Sequence, residues 1–248
     1  MRFVATPEYP ILMCGRFVVA GSDRDLIDLF DVDFVDKDLP EPSYNVAPTD
    51  TVRLLMERLD DTGETPTRRL TTARWGLVPS WMKDPKKGPP LINARAETIL
   101  EKPSFRTAAS RRRGIVMANG YYEWEKGPEG KIPTYLHGQT SDMLAFAALY
   151  EYWPDPTLPE DHQDKWLRSC TIITTTASDT LGHIHDRTPL ILPADLYSDW
   201  LNPKMTGSSD VQALIDAIPE PKLVPRVVGN AVGSVRNNGP QLIEPVAS

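Results

Sequence analysis

Hydrophobic residues along this chain recur in short blocks, not in long amphipathic stripes. Blocks rich in β-branched and aromatic residues cover residues 15–20, 114–118, 133–136, 143–150, 169–177 and 223–228, and each reads as a strand. Residues 51–59 and 69–75 read as paired strands around the turn-rich Asp60-Asp61-Thr62-Gly63. Ser22 offers an N-cap with Asp25 three residues on, ahead of Leu26, Ile27, Leu29 and Phe30, which predicts a short helix. Further helices are predicted at 193–201 and at 208–218, the second stopped by Pro219. Residues 36–48 and 81–90 have no period and are dense in proline or glycine, so they read as loops. The strands do not alternate with helices in the manner of a parallel sheet. The pattern therefore predicts an α+β fold with a curved, mostly antiparallel β-sheet.

A length of 248 residues suits one large domain or two small ones. Proline reinforces the reading: 24 residues is about twice ordinary usage, and prolines at that density interrupt long helices. The longest apolar run, residues 143–150, is far short of the roughly 20 residues needed to span a bilayer. The first ten residues lack an apolar signal-peptide core. Cys14 and Cys170 are too few for a disulfide framework and suit a reducing compartment. A soluble, cytoplasmic protein with no membrane partner is expected.

The net charge of −7 argues against a polyanionic partner until its distribution is read. Between Arg68 and Arg113 there are twelve basic residues and three acidic ones, so the rest of the chain is strongly acidic. Trp75, Trp81 and Phe105 interleave with those cations. Stacking rings among cations is how single-stranded nucleic acid is held, although a solvated basic loop has the same composition.

Familiar catalytic signatures are absent: there is no phosphate-binding glycine loop, no nucleophile elbow and no zinc helix. His183 and His185 lack a companion Cys or carboxylate cluster, so neither a metal nor a cofactor is expected. What stands out is a set of short stretches that mix polar, aromatic and small residues without amphipathic logic. They are Met13-Cys14-Gly15-Arg16-Phe17, Trp75-Gly76-Leu77-Val78-Pro79-Ser80-Trp81, Asn93-Ala94-Arg95-Ala96-Glu97-Thr98, Gly120-Tyr121-Tyr122-Glu123-Trp124 and Ile184-His185-Asp186-Arg187-Thr188-Pro189. Tyr44-Asn45-Val46-Ala47-Pro48 and Val235-Arg236-Asn237-Asn238-Gly239-Pro240 add to them.

In this order the seven stretches resemble the SOS-response-associated peptidase (SRAP) family, also called abasic-site processing proteins, from Met13 to about Val246. The resemblance implies a single domain over residues 13–248, with a barrel-like core and short flanking helices. It implies that the initiator Met is removed to leave Cys14 first, so residues 1–12 form a leader absent from the mature protein. A terminal Cys carries an α-amine and a thiol on adjacent carbons, both partly deprotonated near neutrality. The amine forms a Schiff base with the ring-opened aldehyde of an abasic site, and the tethered thiol closes a thiazolidine on the same carbon.

By the same resemblance Glu123 is the acid/base carboxylate, His185 assists ring opening or orients the intermediate, and Asn93 hydrogen-bonds the sugar. Arg16, Arg95, Arg106 and Arg187 contact phosphates. Asn45, Trp75, Trp81 and Thr174 complete the DNA-binding set. The implied partner is single-stranded DNA containing abasic sites, and any proteolysis is autocatalytic at the bond before Cys14. Two other readings use the same residues: an N-terminal-nucleophile hydrolase of peptides or amides, and a non-catalytic single-strand binding module. The residues carry no signal for contacts with replication machinery, and they leave open a lyase side reaction by β-elimination.

Overall fold

A computed structural model of the chain describes residues 14–60, 62–128, 130–139, 143–177 and 184–246. Along them run β1 (Phe17–Val19), α1 (Asp23–Phe30), β2 (Phe34–Val35), β3 (Ser43–Val46), β4 (Thr51–Leu59), β5 (Pro66–Trp75) and β6 (Asn93–Arg95). There follow α2 (Arg106–Arg111), β7 (Arg113–Ala118), β8 (Gly120–Gly127), β9 (Gly130–Gly138), β10 (Leu144–Pro154) and β11 (Trp166–Thr176). The chain ends with β12 (Arg187–Pro189), β13 (Ile191–Leu192), α3 (Tyr197–Leu201), α4 (Ser208–Ala217) and β14 (Leu223–Val227).

Five strands close on themselves. β5, β4, β7, β10 and β11 pair in that order, each pair antiparallel. β11 then returns to β5 in parallel, with Ser169 opposite Arg74 and Cys170 opposite Trp75. The ring is a mixed five-stranded barrel. The second sheet, β14-β9-β8-β1-β3, is antiparallel throughout.

Strand alternation sorts the apolar residues onto the two faces of the barrel wall. Val52, Leu54, Met56, Ala73, Trp75, Val116, Phe146, Ala148, Cys170 and Ile172 form one cluster, which continues into Phe17, Val19, Tyr121 and Leu136 of the second sheet. The opposite parity, with Leu55, Leu70, Ile115, Met117, Ala147, Leu149 and Ile173, is covered by Leu26, Phe30, Trp200, Val211 and Leu214 of the helices. At the β4–β7 crossing only glycine fits: a Cβ on Gly114 would lie 2.8 Å from Leu54 Cδ1 and 2.9 Å from Leu55 O.

The helix at residue 23 forms as the sequence predicts. Ser22 and Asp25 make a complete capping box, burying Leu26 and Phe30. The helix predicted at 193–201 is a 3-10 turn running into α3, and that at 208–218 is α4. The loop predicted at 36–48 contains β3, and β8 extends through a stretch too polar to read as a strand. Asp61, His183 and the leader lie outside the described residues. No helix among the described residues is long and apolar enough to cross a membrane.

The basic segment is less of a surface than its composition implies. Arg68 pairs with Glu57, Arg69 with Asp36 and Arg112 with Glu151. Arg74 donates to Gly76 O. Arg113 is buried and donates to five main-chain carbonyls: Trp200, Ala109, Ser110, Asn202 and Met205. Several of these close the C-terminal ends of α2 and α3, where carbonyls lack helical partners and the helix dipole is negative. Burial pushes the Arg113 guanidinium down to about 10, so it stays charged at neutral pH. Arg113→Met should cost about 3 kcal/mol or more, because the carbonyls of Trp200 and Ala109 would be left buried without this donor and three part-buried ones would lose it too. Chemical denaturation would register this as a lower midpoint with an unchanged slope.

Candidate functional site

β1 and β8 build the site. Phe17 sits opposite Tyr121 and Val18 opposite Gly120. The Tyr122 amide donates to Arg16 O, so the pairing continues upstream of β1. That continuation delivers Cys14 to Glu123: the Cys14 backbone N–H donates to Glu123 Oε1 at 2.6 Å. The Cys14 thiol hydrogen-bonds the same carboxylate, so one acid addresses both heteroatoms of the cysteine. Alternation along β8 puts Tyr121 and Glu123 on the face toward Cys14, with Tyr122 and Trp124 on the other.

The pair is out of water, with Cys14 2% and Glu123 1% exposed. Burial raises the Glu123 carboxyl to about 7. The two hydrogen bonds from Cys14 oppose that rise, and the charge of Asp186 adds to it. Burial, then the charge of Glu123, pushes the thiol well above its ordinary range. Cys14 has a φ of 46°, the left-handed region where a side chain costs about 1 kcal/mol. A carboxyl that titrates near neutrality, within hydrogen-bond reach of a nucleophile, is equipped to give and take a proton.

Thr188 Oγ1 lies 3.0 Å from the Tyr121 hydroxyl and Ile184 packs in the cluster of Cys14 and Tyr121, which brings the 184–188 segment to the same place. His185 Nδ1 accepts the Arg187 amide hydrogen at 3.1 Å and lies 2.9 Å from Asp186 Oδ1. The two contacts suit two protonation states. The neutral ring accepts from the amide, and the imidazolium donates to Asp186. Burial lowers the imidazole's affinity for its proton and favours the neutral form at neutral pH.

Other candidates are placed less directly. Asn93 and Arg95 flank Ala94 on β6, and Arg95 sits opposite Thr174 of β11. Arg95 is exposed, whereas Thr174 is fully buried. Arg187 is held by both oxygens of Glu97 and donates to Thr174 O at 2.6 Å. Arg16 donates to Asn45 Oδ1 and Val232 O. Asn45 Nδ2 donates to Ser234 O and Asn237 O, and Asn238 Oδ1 accepts the Tyr44 amide. Two of the sequence stretches therefore fasten the C-terminal segment across β3.

Trp75 is a correction. It is fully buried, edge-on to Phe17 at 4.9 Å, with Nε1 donating to Ile92 O, so it packs the core and has no face for a base. Trp81 is 63% exposed, beside Met82, whose carbonyl accepts a 2.6 Å hydrogen bond from Trp153 Nε1. Lys83, Lys86 and Lys87 are exposed in the same loop. Arg106 opens α2, which packs against β7, β10 and α4 in the helix layer, away from Cys14. No group of three or more metal-ligating side chains occurs among the described residues.

Sequence reasoning passed over Tyr121 and Thr188, whose hydroxyls lie 3.0 Å apart. Burial, then the charges of Cys14 and Glu123, raise the Tyr121 phenol, which places it beside the cysteine. The signal was the two-residue spacing of Tyr121 and Glu123, legible only once β8 is known to be a strand.

Residues 13–235 match the family model described as SOS response associated peptidase (SRAP). Abasic site processing protein YoqW of Bacillus subtilis (strain 168) is 39% identical over 234 residues, covering 94% of this chain and 99% of the relative. Abasic site processing protein YedK of Escherichia coli (strain K12) is 32% identical over 240 residues, covering 94% and 100%. A crystal structure of a protein from Bacteroides thetaiotaomicron superposes with a TM-score of 0.74 at 22% identity, covering 94% of this chain and all of that one; this likeness concerns the fold.

Proposed function

The chain belongs to the SOS response associated peptidase (SRAP) family, and on that premise we propose that it processes abasic sites by covalent capture through Cys14. The single observation that carries the reading is the buried Glu123 carboxylate 2.6 Å from the Cys14 nitrogen. Capture requires that Cys14 be the first residue, with residues 1–13 removed. The freed α-amine adds to the aldehyde of the ring-opened sugar and gives a carbinolamine. Glu123 as its acid then protonates the hydroxyl, which leaves as water, and an imine remains. The Cys14 sulfur adds to the imine carbon, its proton passes to the nitrogen through the same carboxylate, and a five-membered thiazolidine closes. One water is lost overall. Closure is intramolecular and gains the effective concentration of a tethered nucleophile.

Neutral His185 is suited to take the proton of the sugar hydroxyl during ring opening, with Asp186 beside Nδ1 to receive the imidazolium that results. Trp81 offers a stacking face, and Arg95 with the three loop lysines offers cations for phosphates, which suits single-stranded DNA. Incubating Cys14-first protein with an oligonucleotide carrying one abasic site, followed by a denaturing gel, tests the reading. A shifted band is expected, absent with Cys14→Ala and weaker as salt rises during binding. No band from correctly processed protein would refute covalent capture.

A further inference from the structure

Glu123 lies opposite Thr134 across the β8–β9 pair. Directly opposed residues of an antiparallel pair put their Cβ atoms about 4.5–5.5 Å apart on one face. Tyr121 opposite Leu136 fixes that face as the one toward Cys14. Thr134 is 1% exposed, and its hydroxyl has no hydrogen-bond partner among the described residues. A buried hydroxyl without a partner is costly, and strands offer apolar β-branched residues of the same shape. Glu123 accepts from the Cys14 nitrogen and thiol, and an ionised carboxylate, with about four lone-pair sites, has acceptor capacity beyond those bonds.

We propose that Thr134 is a positioning residue for Glu123, its hydroxyl turning to donate to the carboxylate whenever Glu123 is ionised. The resting arrangement then belongs to the protonated acid. Each time Glu123 gives up its proton, Thr134 holds the carboxylate against β8, so that it stays aimed at Cys14. Among the described residues, the other polar groups that bear on Glu123 are Cys14 ahead of β1, Tyr121 on β8 and Asp186 ahead of β12. None of these lies on β9, so Thr134 is the strand's own polar contribution to this carboxylate.

This assignment concerns the acid/base group of the proposed reaction, yet its test does not need that reaction. Carboxyl carbon NMR of Glu-labelled full chain, without DNA, follows Glu123 directly. A donor that favours the ionised form lowers the pKa, so Thr134→Val should raise the Glu123 midpoint by about one pH unit, and Thr134→Ser should restore it. An unchanged midpoint in a folded Thr134→Val protein overturns the proposal. In the unsubstituted protein the Thr134 side-chain carbon shifts should titrate with the Glu123 midpoint, which keeps the test open if the valine variant does not fold. Thr134 signals indifferent to that titration would equally overturn it. If the midpoints behave as stated but no DNA adduct forms, the functional reading fails and the Thr134 assignment stands.

Discussion

Protein that begins at Cys14 should form a denaturation-resistant adduct with abasic single-stranded DNA, and protein in which residues 1–13 are locked in place should form none above the level of Cys14→Ala. The reason is electronic. A nitrogen that follows Met13 is an amide, with its lone pair delocalised into the carbonyl, and it cannot become the nitrogen of a Schiff base. The two forms share Glu123, Tyr121 and the basic loop, so non-covalent affinity should differ little between them while covalent yield differs from most of the DNA to none. The backbone favours release of the leader, because the left-handed φ of Cys14 is defined by the preceding carbonyl. Cutting the Met13–Cys14 bond removes that constraint along with its cost of about 1 kcal/mol. Intact mass of protein from its native host reads the state of the chain directly. A working protein whose mass still includes residues 1–13 would end the proposal.

How much of this was written plainly in the sequence depends on what each residue packs against. Helix α1 was legible because Ser22 and Asp25 satisfy each other locally, with no help from distant parts of the chain. The barrel strands were legible because apolar and threonine residues together dominate each of them. β8 was not, because Glu123, Glu125 and Lys126 read as solvent-facing, and only pairing with β1 and β9 explains a carboxylate on an inward face. Closure of the barrel depends on a parallel contact between Cys170 and Trp75, ninety-five positions apart, which no local pattern announces. Charge count misled for a related reason. Arg68, Arg69, Arg112 and Arg113 look like a nucleic-acid surface in one dimension, yet folding commits each to a carboxylate or to helix-end carbonyls. Cys14, Glu123 and His185 stood out through their resemblance to a family, and the fold brings Cys14 and Glu123 into contact. Trp75 was misplaced because an aromatic ring between basic residues reads the same whether it packs inward or outward.

Glu123→Gln should slow adduct formation by about 10²–10⁴-fold while making the protein more stable at alkaline pH, and the two effects share one cause. Burial raises the Glu123 carboxyl from an ordinary 4.5 to about 7. The folded state therefore holds this proton more tightly than the unfolded state does. Its stabilising contribution is complete below the unfolded value, declines as pH rises from about 4.5 to about 7, and is gone above that window. Glutamine cannot ionise and suffers no such decline, while its carbonyl oxygen can still accept the Cys14 amide. Melting of the full chain should then show the variant ahead of the native protein at pH 8, by a margin on the order of a few kcal/mol, and level with it near pH 4. In the Cys14-first form the buried carboxyl, raised by its surroundings, sits beside an α-amine whose ordinary pKa is about 7.7–8.0, so the two groups compete for one proton. Capture needs that proton on the acid and the amine neutral, which gives the native protein a rate maximum near neutrality. The Gln variant should instead keep a single rising limb that follows the amine. A Gln variant with native rate and native pH profile would mean that the carboxylate is structural, and the shared proton would have to be found elsewhere. A variant that is slow but no more stable at pH 8 would mean that the buried acid is not held near 7.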